Sequence, residues 1–261
     1  MDILTYNLDQ LERWFLMLFR ISSLMIVLPF YGYTSIPVIV RMATSVILTS
    51  FLFPLHPEMQ IVVGTGVISF FGVVLREVGI GLAIGMSATL LFYGVQFGGH
   101  VIGHTMGFAI INIMDPQSQQ QVPLMGQLLN LLAIMIFLTF NGHHFLLMVI
   151  SETFVRIPIG TGMMSGLGVE AFARLGADIF VTGVKIGSPV LVSILVAEFA
   201  LGFLARTVPQ MNVWIIGFPL KIGLGLLTLG LSLPMFIYVF SKVYSNWQGD
   251  IIDFITIMMT G

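Results

Sequence analysis

Cysteine is absent from the 261 residues, which excludes disulfides, thiol nucleophiles and thiolate metal sites. Charge is nearly absent: Asp, Glu, Lys and Arg together make up 8% of the chain, against about 25% in a soluble domain. So few charges cannot cover a water-facing surface of this size, whereas they suffice for a surface facing lipid or the apolar walls of neighbouring subunits. No basic run occurs and the net charge is −2, so nucleic-acid binding has no footing. A repeat of fixed period and a separable soluble domain are missing too, and a single domain over residues 1–261 is expected. No basic leader opens the chain; Asp2, Asp9 and Glu12 stand where a signal peptide would be positive, so the first helix is expected to stay in the mature protein.

What is abundant is apolar. Hydrophobic residues make up 57% of the chain and the mean hydropathy is +1.03. A bilayer span needs about 20 apolar residues. Six segments qualify as helices: about 11–28, 36–53, 67–106, 124–154, 177–205 and 213–243. The expected fold is therefore all-α, a polytopic membrane protein of about six long hydrophobic helices with proline and glycine breaks. The third segment would reach about 60 Å as a straight helix. It must tilt, break or leave an ordinary bilayer, and its adjacent Arg76 and Glu77 mark a place that does not face lipid.

Four features could carry function. Gly99, Gly103 and Gly107 recur every four residues, as do Gly81 with Gly85 and Gly94 with Gly98. That spacing puts them on one helical face and admits close packing, either within the chain or against another subunit. Lys185, Glu198, Arg206 and Lys221 lie in or at the ends of the last two segments. Ionisable groups in hydrocarbon pair or line water, so Lys185, Glu198 and Lys221 are read as buried ionic groups, while Arg206 fits a snorkelling helix end. Lys185 and Glu198 are too far apart to pair on one straight helix, and each is expected to take a partner from elsewhere. His100 with His104, and His143 beside His144, lack a carboxylate at metal-site spacing. No nucleophile–base arrangement or phosphate-binding loop occurs, so no catalytic, cofactor-binding or metal-binding residue is expected and the chain is read as a non-enzyme. The run at residues 112–123, NIMDPQSQQQVP, is the most polar in the chain and has an apolar shoulder beginning at Met106; on its own it reads as an exposed loop with a hydrophobic anchor.

Residues 188–225, SPVLVSILVAEFALGFLARTVPQMNVWIIGFPLKIGLG, resemble the signature of the FliR family, the R subunit of the flagellar type III export gate, related to the SctT subunit of injectisomes. The resemblance rests on Glu198, Gly202 and Arg206, then Pro209, Gln210, Met211, Asn212 and Val213, then Gly217, Phe218, Pro219, Leu220 and Lys221. Gly32, Pro37, Arg41 and Pro54 resemble the family's early region; Gly103 through Asp115 and Pro116, and Asn141 to His143, resemble its middle. Trp214 departs from the more usual phenylalanine, a change between bulky aromatics. The resemblance implies a channel subunit that joins FliP-like and FliQ-like subunits at the entrance to an export channel for unfolded polypeptides. It further implies an FlhB-like protein at the base and a place in the inner (cell) membrane at the flagellar basal body. It also implies that the loop around Met106 to Val122 is a pore plug, with Met106, Phe108, Ile110, Ile111, Ile113 and Met114 as its closing residues. Arg206, Pro209, Gln210, Met211 and Asn212 would form a cytoplasmic hairpin tip. An injectisome export subunit is the alternative. A small-molecule transporter fits less well, because no two repeated halves with matching broken helices are present.

Overall fold

The computed structural model describes residues 3–28, 36–57, 66–108, 123–161, 166–208, 210 and 212–260. Among the described residues the chain is all-α, with seven helices. These are α1 (Ile3–Val27), α2 (Val38–Leu52) running into a 3-10 turn (Phe53–Leu55), α3 (Val67–Met106), α4 (Leu124–Thr139), α5 (Gly142–Arg156), α6 (Gly166–Thr207) and α7 (Val213–Thr260). By length and composition four helical stretches can cross a membrane, Val38–Leu55, Val67–Met106, Gly168–Thr207 and Ile215–Met258, and five if the bent pair α4–α5 counts as one span.

Three boundaries differ from the sequence reading for identifiable reasons. The fourth segment is two helices bent by 69°. Asn141 takes the left-handed conformation at φ 56°, which its short polar side chain tolerates. A Cβ on the next residue, Gly142, would collide with the Phe137 ring. Helix α6 begins earlier, and its first part carries a Glu170–Arg174 pair at i,i+4, a modest local support. Helix α7 runs well past Val243, because Trp247, Ile251, Phe254, Ile255 and Met258 form one buried stripe between polar residues. Proline inside α6 is accommodated locally. Pro189 has no N–H for the Lys185 carbonyl, and the Ser188 hydroxyl donates to that carbonyl at 2.9 Å.

Contacts divide the chain into two compact units: Met1–Leu90, Phe137–Gly176 and Asn246–Gly261 form the first, Leu91–Ile136 and Ala177–Ser245 the second. The first is organised around an ion pair. Arg20 of α1 and Glu77 of α3 are 1% and 0% exposed, with Nε and Oε2 2.6 Å apart. No hydrogen-bonding group of the guanidinium is wasted. Nη1 donates to the Thr153 and Ile157 carbonyls and Nη2 to Ile157, each at 3.1 Å, and the group sits 4.7 Å from the centre of the Phe154 ring. The other Glu77 oxygen accepts the Gly160 N–H at 3.0 Å, and Arg76 donates to the Gly160 carbonyl at 2.9 Å. Gly160 has φ +85°, a conformation that glycine adopts freely. One charge cluster thus ties α1, α3, the end of α5 and the turn beyond it. Around it, Gly81 and Gly85 let α3 approach α1 so closely that a Cβ on Gly81 would strike Ser23 and the Arg20 carbonyl. Thr89 donates to the Val27 carbonyl at 2.7 Å, and the Trp247 indole N–H to the Ser87 carbonyl at 3.1 Å.

Removing one member of a buried, fully satisfied pair leaves the other charge unpaired, at a cost of about 3–5 kcal/mol. Glu77→Ala is therefore expected to collapse the yield of folded chain and lower its thermal midpoint in detergent. Glu77→Gln keeps an acceptor for the Gly160 N–H and should lose less. Equal melting of wild type and Glu77→Ala would show that the pair does not hold the first unit together.

Candidate functional site

The second unit carries most of the residues singled out in the sequence. Helix α3 supplies its glycines in two directions. A Cβ on Gly94 would lie 3.2 Å from the Thr182 Cβ of α6, and one on Gly98 would lie 2.8 Å from the Gly183 carbonyl oxygen. A Cβ on Gly99 would lie 2.5 Å from Gly126 Cα and 2.7 Å from the Met125 carbonyl oxygen, on α4. Here the approach is backbone to backbone, the contact that small residues permit between helices in lipid. Gly103 is different: its Cβ would stand 3.4 Å from the Met125 Cβ, an ordinary contact. Gly107 does not extend the helical face, since α3 ends at Met106 and Gly107 turns out of the helix at φ +92°. The Gly94, Gly98 and Gly99 approaches are thus met inside the chain.

The end of α3 is anchored on α7. Met106 is fully buried and its side chain lies in the space over Gly225, with Cγ 2.8 Å and Sδ 3.1 Å from where a Cβ would be. A Cβ on Gly107 would lie 2.8 Å from Cδ1 of Phe218. Phe108 is half-buried, and its N–H donates to the Gly103 carbonyl at 3.1 Å. The remaining plug residues expected from the resemblance, Ile110, Ile111, Ile113 and Met114, lie outside the described residues, as do Pro209 and Met211 of the hairpin tip.

Helices α6 and α7 meet through Leu201 beside Gly217 and through an ion pair between Glu198 and Lys221. The two contacts step in opposite directions along the two helices, an antiparallel register. The charged groups divide by burial. Within this chain the Glu198 side chain is 46% exposed and that of Lys221 20%, and Lys185 is exposed on α6. Glu198 finds its partner on the neighbouring helix α7. The deeply buried pair is instead Arg20–Glu77. The sequence reading passed over Arg20, although an arginine inside an apolar segment is the same signal that drew attention to Lys185. Arg206, Gln210 and Asn212 are exposed around the turn between α6 and α7. Leu195, Glu198, Phe199, Gly202, Phe203 and Arg206 line a shallow groove on α6, open at Gly202, where a Cβ would meet nothing.

Among the described residues, no group of three His, Asp or Glu side chains is placed to hold a metal. His100 and His104 are both exposed, the first beside Gly126. His143 and His144 place their ring centres 4.2 Å apart at the start of α5. What the second unit offers is mechanical: tight helix contacts, an anchored helix end and a polar tie between two long helices.

Residues 11–247 match the family model described as bacterial export proteins, family 1. The chain is similar to the flagellar biosynthetic protein FliR of Escherichia coli (strain K12), with 30% identity covering 94% of this chain and 95% of the relative. It is similar to FliR of Bacillus subtilis (strain 168), with 31% identity covering 91% and 92%. It is also similar to the Yop proteins translocation protein T of Yersinia pestis, with 26% identity covering 59% and 60%.

Two glycines four residues apart on α3 should respond oppositely to alanine. Gly99→Ala pushes a methyl into the α4 backbone and should cost about 1–3 kcal/mol. Gly103→Ala has room and should be neutral, or stabilising by up to about 1 kcal/mol through helix propensity. Thermal unfolding of the two variants side by side reads the difference; the same midpoint for both would mean that α3 and α4 do not touch at Gly126.

Proposed function

The chain belongs to the FliR family of bacterial export proteins, and we propose that it is a non-enzymatic channel subunit of the flagellar type III export gate. It works by assembling with FliP-like and FliQ-like subunits at the entrance of the export channel, in the inner membrane at the flagellar basal body. The observation that carries the reading is similarity along nearly the whole chain, 94% of it, to a flagellar FliR. An injectisome role has the weaker support of a match over 59% of the chain.

The arrangement of residues fits a subunit that is completed by others. Helix α6 presents Val181, Val184, Val192, Leu195, Val196, Phe199 and Phe203 outward, and Lys185 stands exposed among them. A cation on such a face costs about 2.5–3.5 kcal/mol in hydrocarbon, so a neighbouring subunit is proposed to meet it with a carboxylate. The hairpin tip around Arg206, Gln210 and Asn212 is exposed polar surface suited to an FlhB-like partner. Pro209 and Met211 belong to the same proposed tip by sequence.

The segment after Gly107 is proposed as the plug. A channel wide enough for an unfolded polypeptide must exclude ions when idle, and bulky apolar side chains do so by expelling water. Phe108, Ile110, Ile111, Ile113 and Met114 supply them, with Met106 at the root, and the polar run Gln117 to Gln121 suits a water-lined wall. Methionine adapts its shape, so such a seal can yield to a substrate and close again.

Deletion of residues 108–114, coexpressed with the partner subunits, should leave the complex assembled and make the membrane leaky to small ions. Conductance across reconstituted bilayers and growth sensitivity of expressing cells both measure this. An assembled deletion complex as tight as the wild type would refute the plug.

A further inference from the structure

Phe218, Lys221 and Gly225 are spaced i, i+3, i+7 on α7 and so share one helical face. Each makes a different contact. Phe218 lies against Gly107, Gly225 receives the Met106 side chain, and between them Lys221 pairs with Glu198 of α6. All of these residues belong to the second unit. The face that fixes the end of α3 is therefore the face that the ion pair ties to α6.

We propose that Glu198 and Lys221 are positioning residues for the end of α3, a latch that holds the Met106–Gly107 root in place through α7. Three features carry it. The root has no slack: Met106 is fully buried and occupies a space that any side chain at position 225 would fill. Gly107 turns at φ +92°, against the Phe218 ring, so a rotation of α7 displaces the point where the chain leaves α3. The Glu198–Lys221 pair is a polar tie between α6 and α7 on that face, beside the close Leu201–Gly217 contact. A charge pair of this kind holds the two helices in one register as long as no competing charge reaches it.

The latch is accessible from one side. Glu198 is the more exposed member and lines the open groove with Phe199, Gly202, Phe203 and Arg206. Loss of the pair would free α7 to turn. Its consequence for ion leakage rests on the plug reading above; its consequence for the geometry of the root does not.

The absence of native cysteine permits a direct test in the assembled complex. Met106→Cys with Gly225→Cys replaces a filled space by two thiols and should form a disulfide rapidly under mild oxidation. Adding Lys221→Met, or independently Glu198→Gln, should slow that crosslink several-fold. The swap of Glu198→Lys with Lys221→Glu should restore it, a rescue that mere loss of packing would not give. In complexes without the cysteines, Lys221→Met should raise small-ion leakage toward that of the 108–114 deletion, and the swap should lower it again. Crosslinking that is indifferent to both single variants overturns the latch. Slowed crosslinking with no leak in either Lys221→Met or the deletion upholds the latch and refutes the plug.

Discussion

An arginine placed inside an apolar helix bundle has to satisfy five N–H groups and one charge with groups from its own chain, since neither lipid nor packed side chains will do so. Arg20 places four of the five on a carboxylate and two backbone carbonyls, and lays the group against an aromatic ring. The consequence reaches beyond the pair. The Thr153 carbonyl, in the last turn of α5, already accepts the Ile157 N–H and takes Arg20 as a second donor, while the Ile157 carbonyl lies just past the helix end, where no following turn supplies a donor. Glu77 in turn takes the N–H of Gly160. The cluster therefore closes a helix terminus and fixes a turn as well as neutralising a charge. A purely apolar contact at the same place would leave the Ile157 carbonyl and the Gly160 N–H unmet, at about 1–3 kcal/mol for each buried one.

The helices packed around this cluster use the opposite device. Where α3 meets α1, α4 and α6, it removes side chains altogether, at Gly81, Gly85, Gly94, Gly98 and Gly99. Apolar burial gives little preference between a neighbouring helix and lipid, so close van der Waals approach has to supply it. Glycine inside a helix costs about 1 kcal/mol of propensity relative to alanine. Its use at five such points on one helix is consistent with contacts that need the backbone-to-backbone distance.

Much of this was legible in the sequence. The apolar segments and the four-residue glycine spacing gave α3 its limits, Val67 to Met106, and marked it as a close-packing helix. The length of α7 was missed because hydropathy falls after Val243, although Tyr244, Trp247, Ile251, Phe254 and Met258 keep a helical period that a moment reading would have found. The bend at Asn141 was not drawn, because a single left-handed residue leaves little trace in hydropathy; the Asn141–Gly142 pair was its one local sign. Partner choice was harder still. Spacing ruled out Lys185 as the mate of Glu198, since both sit on one helix, but it could not pick out Lys221, because that pairing is set by the antiparallel register of α6 and α7. The glycine ladder has the same difficulty: Gly98 and Gly99 are adjacent yet face different helices, and only the packed fold separates their roles.

The two compact units consequently differ in how firmly their polar ties are made. In the first, the charges are sealed from solvent, hydrogen-bonded at nearly every position and joined to backbone at two separate places, so no small displacement leaves them satisfied. In the second, the tie between α6 and α7 is a single pair with Glu198 half open to its surroundings, and the helix end it governs is held by a methionine and a ring against two glycines. Those contacts are tight, and the ion pair is the part that can be traded, since one exposed ion pair is readily exchanged for another. A subunit of an export apparatus can use both kinds of tie: one that cannot be traded, to keep the fold, and one that can, to let a helix end move. The distribution of buried and exposed charge along this sequence supplies the first at Arg20 and Glu77 and the second at Glu198 and Lys221.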